Sequence, residues 1–333
     1  MREIPSGGKF DSDSFRREVA EDCAPVVLRA LGRGWPLVAA GQESRDALIA
    51  YLQRFDIGRT AQAFVGPPAI AGRYHYGTGP DGFNFARETL SLAETLRRIA
   101  AAADRPELPS IYMGSVPADI HLPGLADENG VGFLPSAVRP RIWIGNASRV
   151  ACHYDTYDNL ALVAAGHRRF TLYPPDAIAD LYVGPIDHTM AGQPVSLAAE
   201  CAEADPRFPR FEATRPRALE VELEAGDALY IPKLWWHQVE ASGSVNVLVN
   251  YWWDAFSAGP DAPYTTMMLA MIAIAERPAA ERAAWRAFFD HYVFRPDGHP
   301  LAHLPEERHG ILGPLRSNYG RIRAMVMQAL RGG

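Results

Sequence analysis

Residues 151–159 read ACHYDTYDN, and far downstream residues 235–237 read WWH. His153 and Asp155 stand two apart, so on a β-strand both side chains project to the same face. Between residues 111 and 253 the chain runs as short β-rich stretches broken by Gly and Pro: SIYMGSV, RPRIWIGNA, NLALVAAG, RRFTLYPP, LEVELEAGDALYIP and SVNVLVNYWW. Many short strands with frequent turn signals predict a sandwich or barrel and not a parallel α/β sheet. On the N-terminal side, residues 15–22 and 44–55 read as helices on either side of a short strand, PVVLRAL. Residues 66–88 read as strands and turns. Residues 88–103 have helical periodicity, with Leu90, Leu92, Leu96 and Ile99 on one face. After Pro263 the pattern is helical again, in TTMMLAMIAIAE, AAERAAWRAFFDHYV and LRSNYGRIRAMVMQALR. The expected class is mainly β with flanking helices. It divides into an N-terminal helix and strand region (1–105), a β core carrying the chemistry (106–258) and a C-terminal helical segment (259–333).

With His237 arriving from a distant strand, His153 and Asp155 complete a set of two imidazoles and one carboxylate. Such a set occupies one face of an octahedral metal and leaves the opposite face open, as in non-haem Fe(II) oxygenases. An H-x-D tripeptide alone is better explained by two residues that hydrogen-bond each other or cap a turn. Three further features favour the metal. In GHRRFTLYPP, Arg168, Phe170 and Leu172 share one strand face, which places a guanidinium on a face that otherwise looks like core. A buried cation needs an anionic partner, and a small dicarboxylate meets it with a bidentate fork. In SVNVLVNYWW, Val245, Val247 and Val249 form one face and Asn246, Leu248, Asn250 and Trp252 the other. Asn159 has the parity of His153 and Asp155, and buried asparagines require hydrogen-bond partners. In AGDALYIPKLWWH, Gly226-Asp227 turns the chain into a strand that ends at Pro232 ahead of the ligand; Trp235 and Trp236 read as packing. The other eight histidines, His75, His121, His188 and His291 among them, lack a partner at ligand spacing.

Composition narrows the classes. The 333 residues are 48% hydrophobic and 22% charged, which describes a packed protein and not a disordered one. The formal charge of -6 opposes a nucleic-acid partner. Lys9 and Lys233 are the only lysines, so the positive charge is nearly all arginine. Cys23, Cys152 and Cys201 form neither a zinc spacing nor an even disulfide set, which fits a reducing compartment. The start, MREIPSGGKFDSD, lacks the apolar core of a signal peptide, and the longest apolar run, 267–275, is too short to span a bilayer. A soluble cytoplasmic protein with no membrane partner is expected.

The stretch from Tyr112 to Trp253 resembles the cupin-like JmjC family of Fe(II)- and 2-oxoglutarate-dependent oxygenases. It is most similar to the branch typified by the asparaginyl hydroxylase of hypoxia-inducible factor. HYDTYDN (153–159), GHRRFTLYPP (166–175), GDALYIPKLWWHQV (226–239) and NVLVNYWW (246–253) carry the likeness. The resemblance implies a double-stranded β-helix (cupin or jelly-roll) with Fe(II) on His153, Asp155 and His237. It also implies 2-oxoglutarate held by Arg168, Tyr112, Asn159 and Asn250, and no catalytic residue beyond the metal ligands. Trp252, on the face of Asn250, is assigned to the substrate pocket. Two positions depart from the family: Arg168 stands where relatives have lysine, and Val150 where they have threonine. The implied reaction is hydroxylation of a protein or peptide side chain, with 2-oxoglutarate decarboxylated to succinate. Related halogenating enzymes lack the carboxylate ligand, so Asp155 argues for hydroxylation. The alternatives are a small-molecule hydroxylase of the same fold, or a non-catalytic metal-binding cupin acting as sensor or scaffold. The C-terminal helices of the family commonly build a homodimer, which is the partner expected here.

Overall fold

The computed structural model describes residues 1–5, 9–77, 82–103, 105–201, 203–257 and 259–331. Among the described residues, twelve strands make one sheet: β1 (Arg2–Ile4), β2 (Val26–Leu28), β3 (Thr60–Gly66), β4 (Arg73–Tyr74), β5 (Ala86–Ser91), β6 (Ser110–Pro117), β7 (Pro140–Gly145), β8 (Ser148–Tyr154), β9 (Asp158–Tyr173), β10 (Leu219–Leu223), β11 (Ala228–Ile231) and β12 (Trp236–Trp253). The protein is mostly β with added helices, as expected, although the sheet is not a closed barrel. The chain divides into two compact units, Met1–Ala255 and Phe256–Gly333; the expected boundary residue 258 lies outside the described residues.

The two long strands make the architecture. The first half of β9 pairs with β11 and with the second half of β12. Its second half pairs with β10 and with the first half of β12. β12 in turn pairs with β7 through residues 246–251 and with β8 through residues 236–241. Each long strand therefore runs through both layers of a sandwich. The major layer continues β12-β7-β6-β3-β5 on one side and β9-β11-β2-β1 on the other.

The bends that allow this lie at Gly166 (φ +75°) on β9 and around Gly243 (φ +113°) on β12, where the register slips. A bulge adds one residue and so reverses which parity faces inward. Asn159 and Ala161 face the cavity before the bulge, and Arg168 and Phe170 after it. On β12, His237 and Val239 face the cavity before the bend, then Leu248, Asn250 and Trp252. Gly166 is irreplaceable here: a methyl group would run into Asn246 Oδ1 at a φ that L-residues avoid. Gly166→Ala is expected to destabilise the protein by more than about 2 kcal/mol. Urea unfolding measures it, and a loss of a few tenths would contradict the bend.

The central strands of the major layer are buried on both faces, while β1, β3 and β5 towards its edges carry exposed residues. Outward, Leu160, Leu162, Val247, Val249, Ile142 and Ile144 pack in one core with Leu37, Leu48, Leu52, Leu96 and Ile99 of the helices Pro36–Glu43, Arg45–Gln53 and Leu92–Ala102. Inward, Ala161, Val163 and Leu248 meet Phe170, Leu172, Val221 and Val239 of the other layer. Two local expectations shift. The helix expected over 88–103 begins only at Leu92, because residues 86–91 form edge strand β5 and the Ser91 side chain caps the helix by accepting from Glu94 N–H. Residues 15–22 do not form one α-helix, since Ser12–Phe15 is α-helical and Arg16–Ala20 continues as a wider π turn. No helix among the described residues is long and apolar enough to cross a membrane.

Candidate metal centre and its cavity

His153 stands near the end of β8 and His237 near the start of β12, and the ladder sets them directly opposite each other. Their ring centroids are 4.4 Å apart. Asp155 follows just past β8, with its Oδ2 3.8 Å from His237 Nε2. One ligand atom from each of the three lies within 4.8 Å of the others, as one cation requires. His153 Nδ1 is 2.8 Å from the Ala151 carbonyl and His237 Nδ1 3.0 Å from the Trp235 carbonyl. A carbonyl only accepts, so each Nδ1 carries its hydrogen and each Nε2 keeps a lone pair free for a metal. Donor identity, spacing and tautomer all fit a divalent cation.

Burial, reinforced by neighbouring His153, holds His237 down at about 4, so its imidazole is neutral at physiological pH. The unfolded chain takes up the same proton near 6.5. Between those values the unfolded state binds more protons, so this contribution is complete above about pH 6.5 and is lost as pH falls towards 4. Metal-free wild type is therefore expected to lose up to about 3 kcal/mol more than His237→Gln across that window. Urea unfolding at pH 7 and pH 4.5 tests this, and equal losses in the two proteins would contradict it.

The eight residues singled out in the sequence, Tyr112, His153, Asp155, Asn159, Arg168, His237, Asn250 and Trp252, all line one cavity of about 490 Å³. Arg168 is only 2% exposed, and its Nε and Nη2 have no hydrogen-bond partner. No carboxylate lies within ion-pair distance of it among the described residues. Burial depresses its pKa and raises that of Tyr112, while each group's proximity to the other works in the opposite sense. Trp252 Nε1 is likewise a buried donor without a partner. Trp236 is buried against Tyr154, and the Trp235 indole donates to the Cys23 carbonyl, so both tryptophans pack.

Asn159 reaches the site by a different route from the one parity suggests. Residues 155–157 turn the chain between β8 and β9, so alternation cannot be counted from His153 across them. Asn159 faces inward because β9 pairs it with Trp252. The sequence reading missed Gln62, Arg87, Gly114, Ser115 and Trp143, which also line the cavity. Arg87, Phe64 and Tyr112 stand side by side on β5, β3 and β6, a juxtaposition that depends on long-range pairing. Residues 189–193 cover part of the cavity, strapped by Tyr76 Oη to the His188 carbonyl (2.7 Å) and Arg87 Nη2 to the Met190 carbonyl (2.6 Å).

The sequence model of the cupin-like domain matches residues 12–259, most of the chain. The chain belongs to the cupin-like domain family. Its JmjC-type resemblance agrees with the curated proteins it matches. It is 33% identical over 138 residues to lysine-specific demethylase JMJ31 of Arabidopsis thaliana, covering 41% of this chain and 24% of that one. It is 31% identical over 150 residues to human HSPB1-associated protein 1, covering 43% and 30%. To tRNA wybutosine-synthesizing protein 5 of Danio rerio it is 27% identical over 272 residues, 75% of each chain. This cupin-like chain thus spans less than a third of the length of the first two relatives.

Proposed function

We propose that this protein is an Fe(II)- and 2-oxoglutarate-dependent oxygenase that hydroxylates a protein or peptide side chain. The observation that carries the reading is Arg168: a buried guanidinium with two unpartnered nitrogens, in the same cavity as two histidines and one aspartate arranged for a metal. A buried charge is retained at such cost when a ligand of opposite charge completes it. His153, Asp155 and His237 hold the iron. Arg168 grips the distal carboxylate of 2-oxoglutarate with Tyr112 beside it, and Asn159 and Asn250 line the same chamber. Arginine in place of lysine suits this role, since its planar fork matches a carboxylate bidentately. When bound, iron and cosubstrate supply the dioxygen activation that hydroxylation needs. Trp252 offers its free N–H to the substrate, and residues 189–193 screen the chamber from water.

Demethylation and small-molecule hydroxylation use the same core, and the relatives' names span a lysine demethylase and a tRNA-modifying protein. The formal charge of -6 favours a protein partner over RNA. The test starts from metal-free protein under argon. Fe(II) is added, and 2-oxoglutarate is titrated while the visible spectrum is recorded. A weak charge-transfer band that saturates, followed by succinate formation on admitting air, is the expected result. Iron binding with no band would remove the 2-oxoglutarate reading and leave a metal-binding scaffold.

We also propose a homodimer through the C-terminal helices. The helices Pro263–Ile274 and Leu315–Arg331 bury no residue, and Met271, Ile272, Met325 and Leu330 are exposed on them. Light scattering is expected to report twice the chain mass for wild type, falling to one chain mass for Met271→Glu/Ile272→Glu. A monomeric wild type would contradict the proposal.

A further inference from the structure

Trp143 stands in RPRIWIGNA, the stretch that forms β7. In the fold its indole lies on the cavity face of β7, and Nε1–H donates to Asn250 Oδ1 at 2.8 Å. Asn250 Nδ2 donates to Asn159 Oδ1 at 3.3 Å, and Asn159 Nδ2 donates to Asp155 Oδ2 at 3.5 Å, the loosest link. Chemistry at both ends sets the direction of this chain. An indole N–H only donates and a carboxylate only accepts, so each asparagine must turn its carbonyl towards Trp143 and its NH₂ towards Asp155. Reversing either amide sets donor against donor or acceptor against acceptor. Asn250 is 1% and Asn159 6% exposed, so water cannot readily repair such a mismatch.

We propose that Trp143 is a positioning residue: it locks the two amides in one orientation and, through them, aims the carboxylate of Asp155 at the metal. Asp155 is the one ligand outside a strand: its carbonyl accepts from Leu234 N–H at 2.8 Å, but no ladder partner stands opposite it and its side chain has no hydrogen bond of the kind that orients the two imidazoles. A side-chain tether supplies the restraint that His153 and His237 obtain from β8, β12 and their Nδ1 hydrogen bonds. The proposal rests on the metal-centre reading above.

The test uses Co(II) as a spectroscopic probe on the full chain, with calorimetry for affinity. Trp143→Phe keeps a smaller aromatic ring and loses the donor. It is expected to weaken Co(II) binding about tenfold to a hundredfold, as loss of outer-shell partners does, and to change the visible ligand-field band. Asn250→Asp is the sharper variant. A new carboxylate near a cation would tighten binding by simple attraction. An aspartate there can only accept, so it turns the Asn159 amide round to present oxygen to Asp155, and weaker binding follows. Tighter or unchanged binding in Asn250→Asp, or an unchanged affinity and spectrum in a folded Trp143→Phe, would overturn the proposal. Near-UV circular dichroism checks the fold, and if Trp143→Phe fails to fold, Asn250→Asp decides. In metal-free protein, Asn250→Ala is expected to shift one indole ¹⁵N–¹H resonance, which Trp143→Phe removes; no shift would also overturn it. If Asn250→Ala gives that shift yet wild type binds no Co(II), the metal reading itself fails, and Trp143 then has no ligand to position.

Discussion

Arg168→Met should bind Fe(II) as wild type does, lose 2-oxoglutarate, and melt at a higher temperature. The methionine keeps most of the buried stem and removes the charge. In the ligand-free protein that charge has two unpartnered nitrogens and no carboxylate at ion-pair distance among the described residues, so burial works against it. Replacing buried charged groups with apolar ones of similar volume commonly stabilises by about 1–4 kcal/mol. Removing one side of a buried charged contact to a ligand costs about 2–5 kcal/mol, at least roughly thirtyfold in affinity. The opposite signs are the point of the experiment. Calorimetric melting of the metal-free protein reads the first, and anaerobic titration of the Fe(II) form with 2-oxoglutarate the second. A variant that loses stability while keeping cosubstrate affinity would show Arg168 to be a packing residue.

Asp155→Ala is expected to lose metal affinity by more than about a hundredfold, beyond what outer-shell changes cost, while the fold persists. Asp155 lies past the end of β8, its side-chain contacts are to His237 and Asn159, and the hydrogen bond from Leu234 N–H goes to its backbone carbonyl, which alanine keeps. Asn159 Nδ2 would be left without its acceptor, which costs about 1–3 kcal/mol at a buried position. Equilibrium dialysis with Fe(II) under argon reads the loss, and circular dichroism the retained structure. Retention of wild-type affinity would mean that the two histidines bind the ion without the carboxylate, and the three-ligand reading would fall.

The parts of this site that could be read from the chain are those whose chemistry is at odds with their surroundings. A guanidinium at Arg168 amid Phe170 and Leu172, and asparagine at 250 amid valines, each demand a partner wherever they fold. Alternation along one strand also carried as far as the strand ran straight. It failed where the backbone departed from a regular strand. The turn at 155–157 breaks the count from His153 to Asn159, and the bulge at Gly166 reverses parity between Asn159 and Arg168. Leu90 and Leu92 fit either period, and the cap at Ser91 decides between them only once the edge pairing of β5 exists. Trp143 gave no signal because nothing local distinguishes a cavity wall from a core face, and Gln62 and Arg87, both exposed polar residues, look like ordinary surface. Their position is a property of which strands become neighbours.

Under the proposed 2-oxoglutarate reading, the bulge at Gly166 sets which dicarboxylate fits. One continuous strand carries Asn159 beside the metal ligands and Arg168 at the anchor, so the gap between the two is a caliper graduated in residues. Moving the bulge and its arginine by two residues would keep every side chain on its face and leave the metal ligands alone. It would shift the guanidinium by about 6.6 Å along the strand. Selection among longer and shorter diacids could thus change by sliding one bend, with the metal ligands untouched.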